Sequence, residues 1–150
     1  MTKRKKILVT GNCGFIGFHL SNLLLNKNYE VYGIDNINSY YDIDLKKKRL
    51  QQLKKYKKFK FYKIDISKKE KVLSNFNKNK SDIVIHLAAQ AGVRFSVQNP
   101  DEYVKSNLVG FFNILDSVRI VKVKHFLFAS TSSVYGKAKK FPLKEDYNTD

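Results

Sequence analysis

The sequence predicts an α/β fold, a Rossmann-like doubly wound parallel sheet truncated after about five strands. Short continuous apolar runs alternate with helix-like segments along the whole chain. The first junction, "VTGNCGFIGFHL", sets three glycines three residues apart, and an aspartate closes the second apolar run. With 150 residues there is room for one domain with a real core, taken as 1–150.

"KILVT" reads as a first strand buried on both faces, because a continuous apolar run leaves neither face for water. A helix over 15–27 follows, with Ile16, Leu20, Leu23 and Leu24 expected on one face. The second strand is expected over 29–35. The next helix carries Ile43, Leu50 and Leu53 at helical spacing, and the third strand covers 59–66. Ser67 with Glu70 reads as a capping box opening a short helix. "DIVIHLAA" is the fourth strand, 82–89, and "HFLFAS" the fifth, 125–130. Between them a long helix is expected over 100–121, starting at Pro100 and ending at Val121.

Composition excludes several classes. Hydrophobic residues make up 43% and aromatic residues 13%, which suits a globular chain. No stretch approaches the roughly 20 continuous apolar residues of a membrane span. One cysteine, Cys13, cannot form an internal disulfide and suits a reducing, cytoplasmic setting. The net charge of +16 raises the question of nucleic acid, above all in "KKKRLQQLKKYKKFKFYK", where Tyr56, Phe59 and Phe61 interleave with lysine. A solvated helix face leading into a strand with inward aromatics is favoured instead. Only four arginines are present, and a chain-wide Lys/Asn/Ile bias explains the charge. No nucleic-acid or membrane partner and no metal is therefore expected.

In a doubly wound sheet, ligands sit beyond the carboxyl ends of the strands. Gly11, Gly14 and Gly17 lie at the first such end. They suit a tight turn, backbone approach to a phosphate, and close helix–strand packing, in that order. The helix start adds free N–H groups and a positive dipole end. Asp35 lies 21 residues after Gly14, where a carboxylate can hold adenosine ribose hydroxyls. It would repel the extra phosphate of NADP, and no arginine is expected nearby to attract it, so NAD is the expected cofactor. Asp65 could reach an adenine amino group or simply cap a helix. Cys13 is read as inert. His19 and His86 are read as packing residues, on the expectation that neither sits at a strand's carboxyl end.

The glycine spacing is G-x-x-G-x-x-G. "TGNCGFIG", "HLAAQAGV" and "STSSVYG", in this order, resemble the extended short-chain dehydrogenase/reductase family of NAD-dependent nucleotide-sugar epimerases and dehydratases. "GIDNINSYYDIDLKKKRL" and "HLAAQAGVRFSVQNPDEYVKSNLVGFFNIL" are most similar to its UDP-glucuronate 4-epimerases.

The resemblance implies that Gly11, Gly14, Phe15, Ile16 and Gly17 cradle the pyrophosphate. It places Asp35, Asn36 and Asn38 around the adenosine ribose and Asp65 and Ile66 around the adenine. Leu87, Ala88, Ala89 and Gln90 would line the cofactor, with Ser106 or Asn107 near the nicotinamide. Thr131 matches the catalytic Ser/Thr, Ser132 and Ser133 would face the sugar, and Arg94 is a candidate for its carboxylate. The implied substrate is a UDP-sugar, epimerised through transient C4 oxidation by bound NAD+.

UDP-glucose 4-epimerase, UDP-glucuronate decarboxylase and a non-catalytic NAD-binding module remain alternatives. Dehydration is disfavoured, because it needs an acid and a base where "TSS" offers only hydroxyls. The family's Tyr-x-x-x-Lys base is expected about 25 residues after Thr131, past Asp150, so the 150-residue piece is expected to be inactive alone. Val104, Leu108, Phe111, Phe112 and Leu115 make the 100–121 helix apolar around much of its girth. In this family such a helix pairs across a two-fold axis, which implies a homodimer of the full-length protein.

Overall fold

A computed structural model describes residues 4–137 and 140–149. Five parallel strands form one sheet in the order β3-β2-β1-β4-β5. They are β1 (Lys6–Thr10), β2 (Glu30–Asp35), β3 (Phe59–Lys63), β4 (Ile83–His86) and β5 (His125–Phe128). The connections contain α1 (Phe15–Asn26), α2 (Ile43–Lys54), α3 (Lys69–Asn79), α4 (Val93–Gln98), α5 (Pro100–Tyr103) and α6 (Phe111–Val121).

The predicted fold class is the observed one. Alternation within β1 explains why its run is continuously apolar. Ile7 and Val9 join Val31, Leu50 and Leu53 on the face covered by α1 and α2. Leu8 joins Val72, Phe76, Val84 and Ile114 on the face covered by α3 and α6. A strand buried on both faces has no polar positions to spare.

Several element boundaries differ from expectation. β3 ends at Lys63 and β4 at His86, where their pairing ends, so Asp65, Ile66, Leu87 and Ala88 lie in the following loops. The expected capping box does not form: α3 starts at Lys69 after Lys68, and Ser67 Oγ is buried without a partner among the described residues. The carboxylate of Asp65 takes over this corner, accepting a bond from Ser67 N–H at 2.9 Å. On α1, Ile16 and Leu23 are exposed, and the buried positions are Gly17, Ser21 and Leu25. Small residues are what allow α1 to lie close to the sheet.

The long helix is interrupted. Residues Val104–Gly110 form a π-helical stretch between α5 and α6, a geometry that widens the helix and often marks a functional segment. The lysine-rich region follows the solvated-face expectation. Phe59 is buried, Tyr56 and Phe61 pack against the core, and Lys47, Lys48, Lys54, Lys55 and Lys57 are exposed. Among the described residues, no helix is long and apolar enough to cross a membrane.

Candidate functional site

β1 lies between β2 and β4, so the turn after β1 sits at the crevice where strand order reverses. Gly11 has φ +70, and a Cβ there would come within 2.9 Å of the Ala88 nitrogen. A side chain at Gly17 would overlap the Gly11 carbonyl oxygen. The glycines thus let the turn pack backbone to backbone against the loop after β4 and the first turn of α1, and the Cβ-free bend they form is the candidate cradle. Gly14 caps α1 with extended backbone and no side-chain hydrogen bond, and no acidic residue occupies the first turn. The first N–H groups of a 12-residue helix therefore face the cradle, with the positive dipole end behind them. Phe15 and Ile16 are exposed beside it at 67% and 65%.

Asp35 is buried at the end of β2. Its Oδ2 accepts a bond from Cys13 N–H at 3.0 Å and its Oδ1 one from Ile37 N–H at 2.8 Å. The carboxylate is thereby fixed at the lip of the cradle. Asn36 is exposed, and its side-chain oxygen accepts from Asn38 N–H at 3.1 Å. Asn38 is held from below by Lys46, whose Nζ donates to the Asn38 carbonyl at 3.0 Å and to Oδ1 at 2.7 Å.

Two cations correct the sequence reading here. Arg49 Nη1 donates to the Cys13 carbonyl at 3.3 Å and its guanidinium lies 5.9 Å from the Phe15 ring centre. An arginine does stand at this end of the site, and the carboxylate of Asp35 alone is left to oppose a ribose phosphate. Lys46 was hidden in "KKKR", yet it shares a helical face with Leu50 and Leu53, and all three are buried. Its place on that apolar stripe was the legible signal. A charged group on a buried stripe is held there by polar partners.

Asp65 and Ile66, expected around the adenine, lie together on one corner. Ile66 is buried, its carbonyl accepts from Asn113 Nδ2 at 2.9 Å, and Lys105 Nζ lies 3.9 Å from Asp65 Oδ2. Asn113 was not singled out from sequence, since one asparagine in an apolar helix carries no periodic signal. On the other side Thr10 Oγ1 accepts from the N–H groups of both Leu87 and Ala88 at 3.1 Å, while Ala89 is exposed. Gln90 is buried, and Asn107 closes a two-bond clamp on its main chain, at 2.7 Å and 2.8 Å. Both polar ends of the Asn107 amide are engaged there, which makes it a support for the loop. Ser106, half-buried, is its neighbour in the π-helical stretch.

His86 ends β4, against expectation, so it does occupy a carboxyl end. It still packs: the ring is buried, Nδ1 lies 2.6 Å from Thr10 Oγ1, and burial pushes the imidazole down to about 4. His19 is exposed on α1, stacked edge-on between Phe15 and Phe18. Cys13 is fully buried, and burial and the Asp35 charge push its thiol up to about 12.

Thr131 precedes a short 3-10 helix, Ser132–Tyr135, and its Oγ1 accepts from Ser133 N–H at 3.2 Å. Its hydroxyl donates to Ser133 Oγ, also at 3.2 Å. Thr131, Ser132 and Ser133 are all exposed, as is Arg94 on α4. The Tyr-x-x-x-Lys spacing also occurs inside the chain, at Tyr56/Lys60 and Tyr135/Lys139. Tyr56 is spoken for by Asn22 and Asn26, at 2.8 Å and 2.9 Å, and Lys139 lies outside the described residues.

The family model described as GDP-mannose 4,6 dehydratase matches residues 8–150. The chain belongs to this family. That assignment agrees with the resemblance to the extended short-chain dehydrogenases. An uncharacterized protein of Methanocaldococcus jannaschii is 48% identical over 99% of this chain and 46% of its own length. A UDP-glucuronate 4-epimerase of Thermodesulfobacterium geofontis is 45% identical over 95% of this chain and 44% of its own. The crystal structure of a Bacillus cereus UDP-glucuronic acid 4-epimerase in complex with UDP-glucuronic acid and NAD superposes with a TM-score of 0.85. It shares 36% identity and covers 97% of this chain and 46% of that one. The family member described here thus spans less than half the length of the relatives it matches.

Proposed function

We propose that this chain is the NAD-binding part of a nucleotide-sugar 4-epimerase acting on UDP-glucuronate. One observation carries the reading: the Cβ-free cradle at Gly11, Gly14 and Gly17 lies beside a buried Asp35 held by two backbone N–H groups. A cradle of that shape fits a pyrophosphate, and the adjacent fixed carboxylate fits a ribose diol. Identity to named UDP-glucuronate 4-epimerases over nearly the whole chain supports the choice of sugar.

Bound NAD+ would supply reversible oxidation at C4 of the sugar, which permits inversion at a carbon that simple acid–base chemistry cannot deprotonate. The residues here would do the rest on this half of the site. Asp35, Asn36 and Asn38 hold the adenosine ribose, and Asp65 and Ile66 flank the adenine. Leu87, Ala88, Ala89 and Gln90 line the cofactor's other side, positioned by Thr10, with Ser106 and Asn107 behind them. Thr131 turns its hydroxyl from Ser133 to the C4 oxygen and orients it. Ser132 and Ser133 face the sugar, and Arg94 offers the only guanidinium of α4 to the carboxylate. Dehydratase chemistry is disfavoured at this site, because Thr131, Ser132 and Ser133 offer only hydroxyls where elimination of water needs an acid and a base.

The apolar residues Val104, Leu108, Phe112 and Leu115 are 44–67% exposed on the helix that begins at Pro100. We assign this face to a two-fold contact in a homodimer; sedimentation showing a monomer at micromolar concentration would refute it.

Two measurements test the function. Calorimetry should show NAD binding to the chain, with Asp35→Ala weakening it by about a hundredfold. Expressed with whatever coding sequence follows Asp150, the protein should interconvert UDP-glucuronate and UDP-galacturonate with no net change in NAD absorbance. Turnover of UDP-glucose alone would assign a different sugar, and NAD binding without any turnover would leave a binding module.

A further inference from the structure

The loops that follow β2 and β4 touch each other. Because β1 separates their strands, any contact between them must pass over the carboxyl end of β1, where the glycine cradle begins. Two strand spacings, roughly 10 Å, separate the roots of these loops. Tyr40 makes the crossing: its ring lies 4.6 Å from that of Phe95 on α4 and 4.5 Å from Tyr41. Its hydroxyl meets Gly92, which has φ +97, and a Cβ at Gly92 would overlap that oxygen. The Gly92 carbonyl is fixed from the far side by the Tyr103 hydroxyl, at 2.6 Å.

Both roots are anchored. Buried Lys46 holds Asn38 two residues before Tyr40, and Asn107 clamps Gln90 two residues before Gly92. Beside the crossing lies a cavity of about 390 Å³, lined from one side by Asn38, Ser39 and Tyr40 and from the other by Gln90, Phe95 and Glu102. The Tyr40–Phe95 contact itself is ring on ring, so what it contributes is packing across two otherwise separate loops.

We propose that Tyr40, packed on Phe95 and seated against Gly92, is a positioning residue that straps the two loops together over the nucleotide crevice. A dinucleotide on the glycine cradle then leaves only when this contact opens. The inference rests on the NAD reading above and deepens it. A reaction that returns the electrons it borrows gains from keeping its cofactor between the two halves of the cycle, and a strap supplies that retention.

Release of radiolabelled NAD from the loaded chain, chased with excess unlabelled NAD, reads the strap without any turnover. Tyr40→Ala should speed release about tenfold or more, with association much less changed. Tyr40→Phe should keep slow release, because the ring makes the contact with Phe95. Gly92→Ala should speed release, and less so in the Tyr40→Phe background, where the colliding hydroxyl is gone; that non-additivity marks the contact itself. Thermal midpoints of the cofactor-free Tyr40→Ala and Tyr40→Phe chains should stay near the parent's, which separates a strap from general loosening, whereas Gly92→Ala should lower the midpoint because of the positive φ. Unchanged release in Tyr40→Ala, or an affinity loss carried by association alone, would overturn the strap and leave NAD binding standing. No NAD binding by the parent chain would overturn both.

Discussion

The Thr10 hydroxyl, 2.6 Å from Nδ1 of His86, is the junction between the first and fourth strands. It also accepts the N–H groups of Leu87 and Ala88, both at 3.1 Å. Two acceptor positions are thereby used, so its single proton must be donated to Nδ1. His86 is consequently neutral, with its proton on Nε2. A doubly protonated ring would set N–H against O–H.

Acid should therefore unfold the protein through this junction. Burial lowers His86 from 6.5 to about 4 in the folded state, so between those values the unfolded chain binds more protons. Stability from this group is fully present above pH 6.5 and is lost as pH falls towards 4, by about 3 kcal/mol in total. Urea midpoints measured from pH 7.5 to 4 should fall across this window, and His86→Asn should flatten the slope. An unaltered slope in the variant would assign the acid sensitivity elsewhere.

Thr10→Val keeps the shape and removes the hydroxyl. Two backbone N–H groups and Nδ1 then lose their partner in a buried corner, at a cost of about 2–4 kcal/mol. Because Leu87 and Ala88 line the proposed cofactor channel, NAD affinity should fall along with the thermal midpoint. Thr10→Ser should restore both. Loss of stability with NAD affinity intact would show that the fourth-strand loop does not depend on Thr10.

Asn12 behaves oppositely. It is fully buried, both polar atoms of its amide lack a partner among the described residues, and a Cβ on Gly33 would collide with it. A buried amide with no hydrogen bond costs about 1–3 kcal/mol, more than the packing its few atoms return. Asn12→Ala should leave the thermal midpoint equal or higher. A fall of several degrees would show that the amide is satisfied in solution, by a trapped water for example.

What the sequence revealed follows from burial. Strands covered on both faces leave continuous apolar runs, which is why "KILVT" and "DIVIHLAA" were visible and the fold class with them. Their ends were not, because pairing stops at Lys63 and His86 while the apolar run continues into loops that serve the site. The glycines and Asp35 stood out in the sequence because few residues other than glycine take the positive φ at Gly11 and the close approach at Gly17, and because a carboxylate ending an apolar strand is conspicuous. Lys46, Asn107 and Asn113 reach these loops by ordinary hydrogen bonds from helical segments that come later in the chain, at 2.7–3.0 Å. Nothing local marks Asn107 and Asn113, and Lys46 shows only as a charge on an apolar stripe; the packed structure is what brings the three to Asn38, Gln90 and Ile66.

Cys13 offers a final test, of the cradle's closure. Its side chain is fully buried, and burial together with the Asp35 charge raises the thiol from 9.0 to about 12, outweighing Lys46, Arg49 and Lys54. At pH 8 roughly one molecule in ten thousand would carry the reactive thiolate, and that one is shielded from solvent. The folded chain should therefore resist a disulfide-exchange reagent for hours and react fully once denatured. Labelling that does occur should follow the rate of opening, rising with urea and not with reagent concentration. Prompt stoichiometric labelling of the folded chain would mean that the turn between Gly11 and Gly14 opens readily, and the fixed Asp35 carboxylate that depends on Cys13 N–H would open with it.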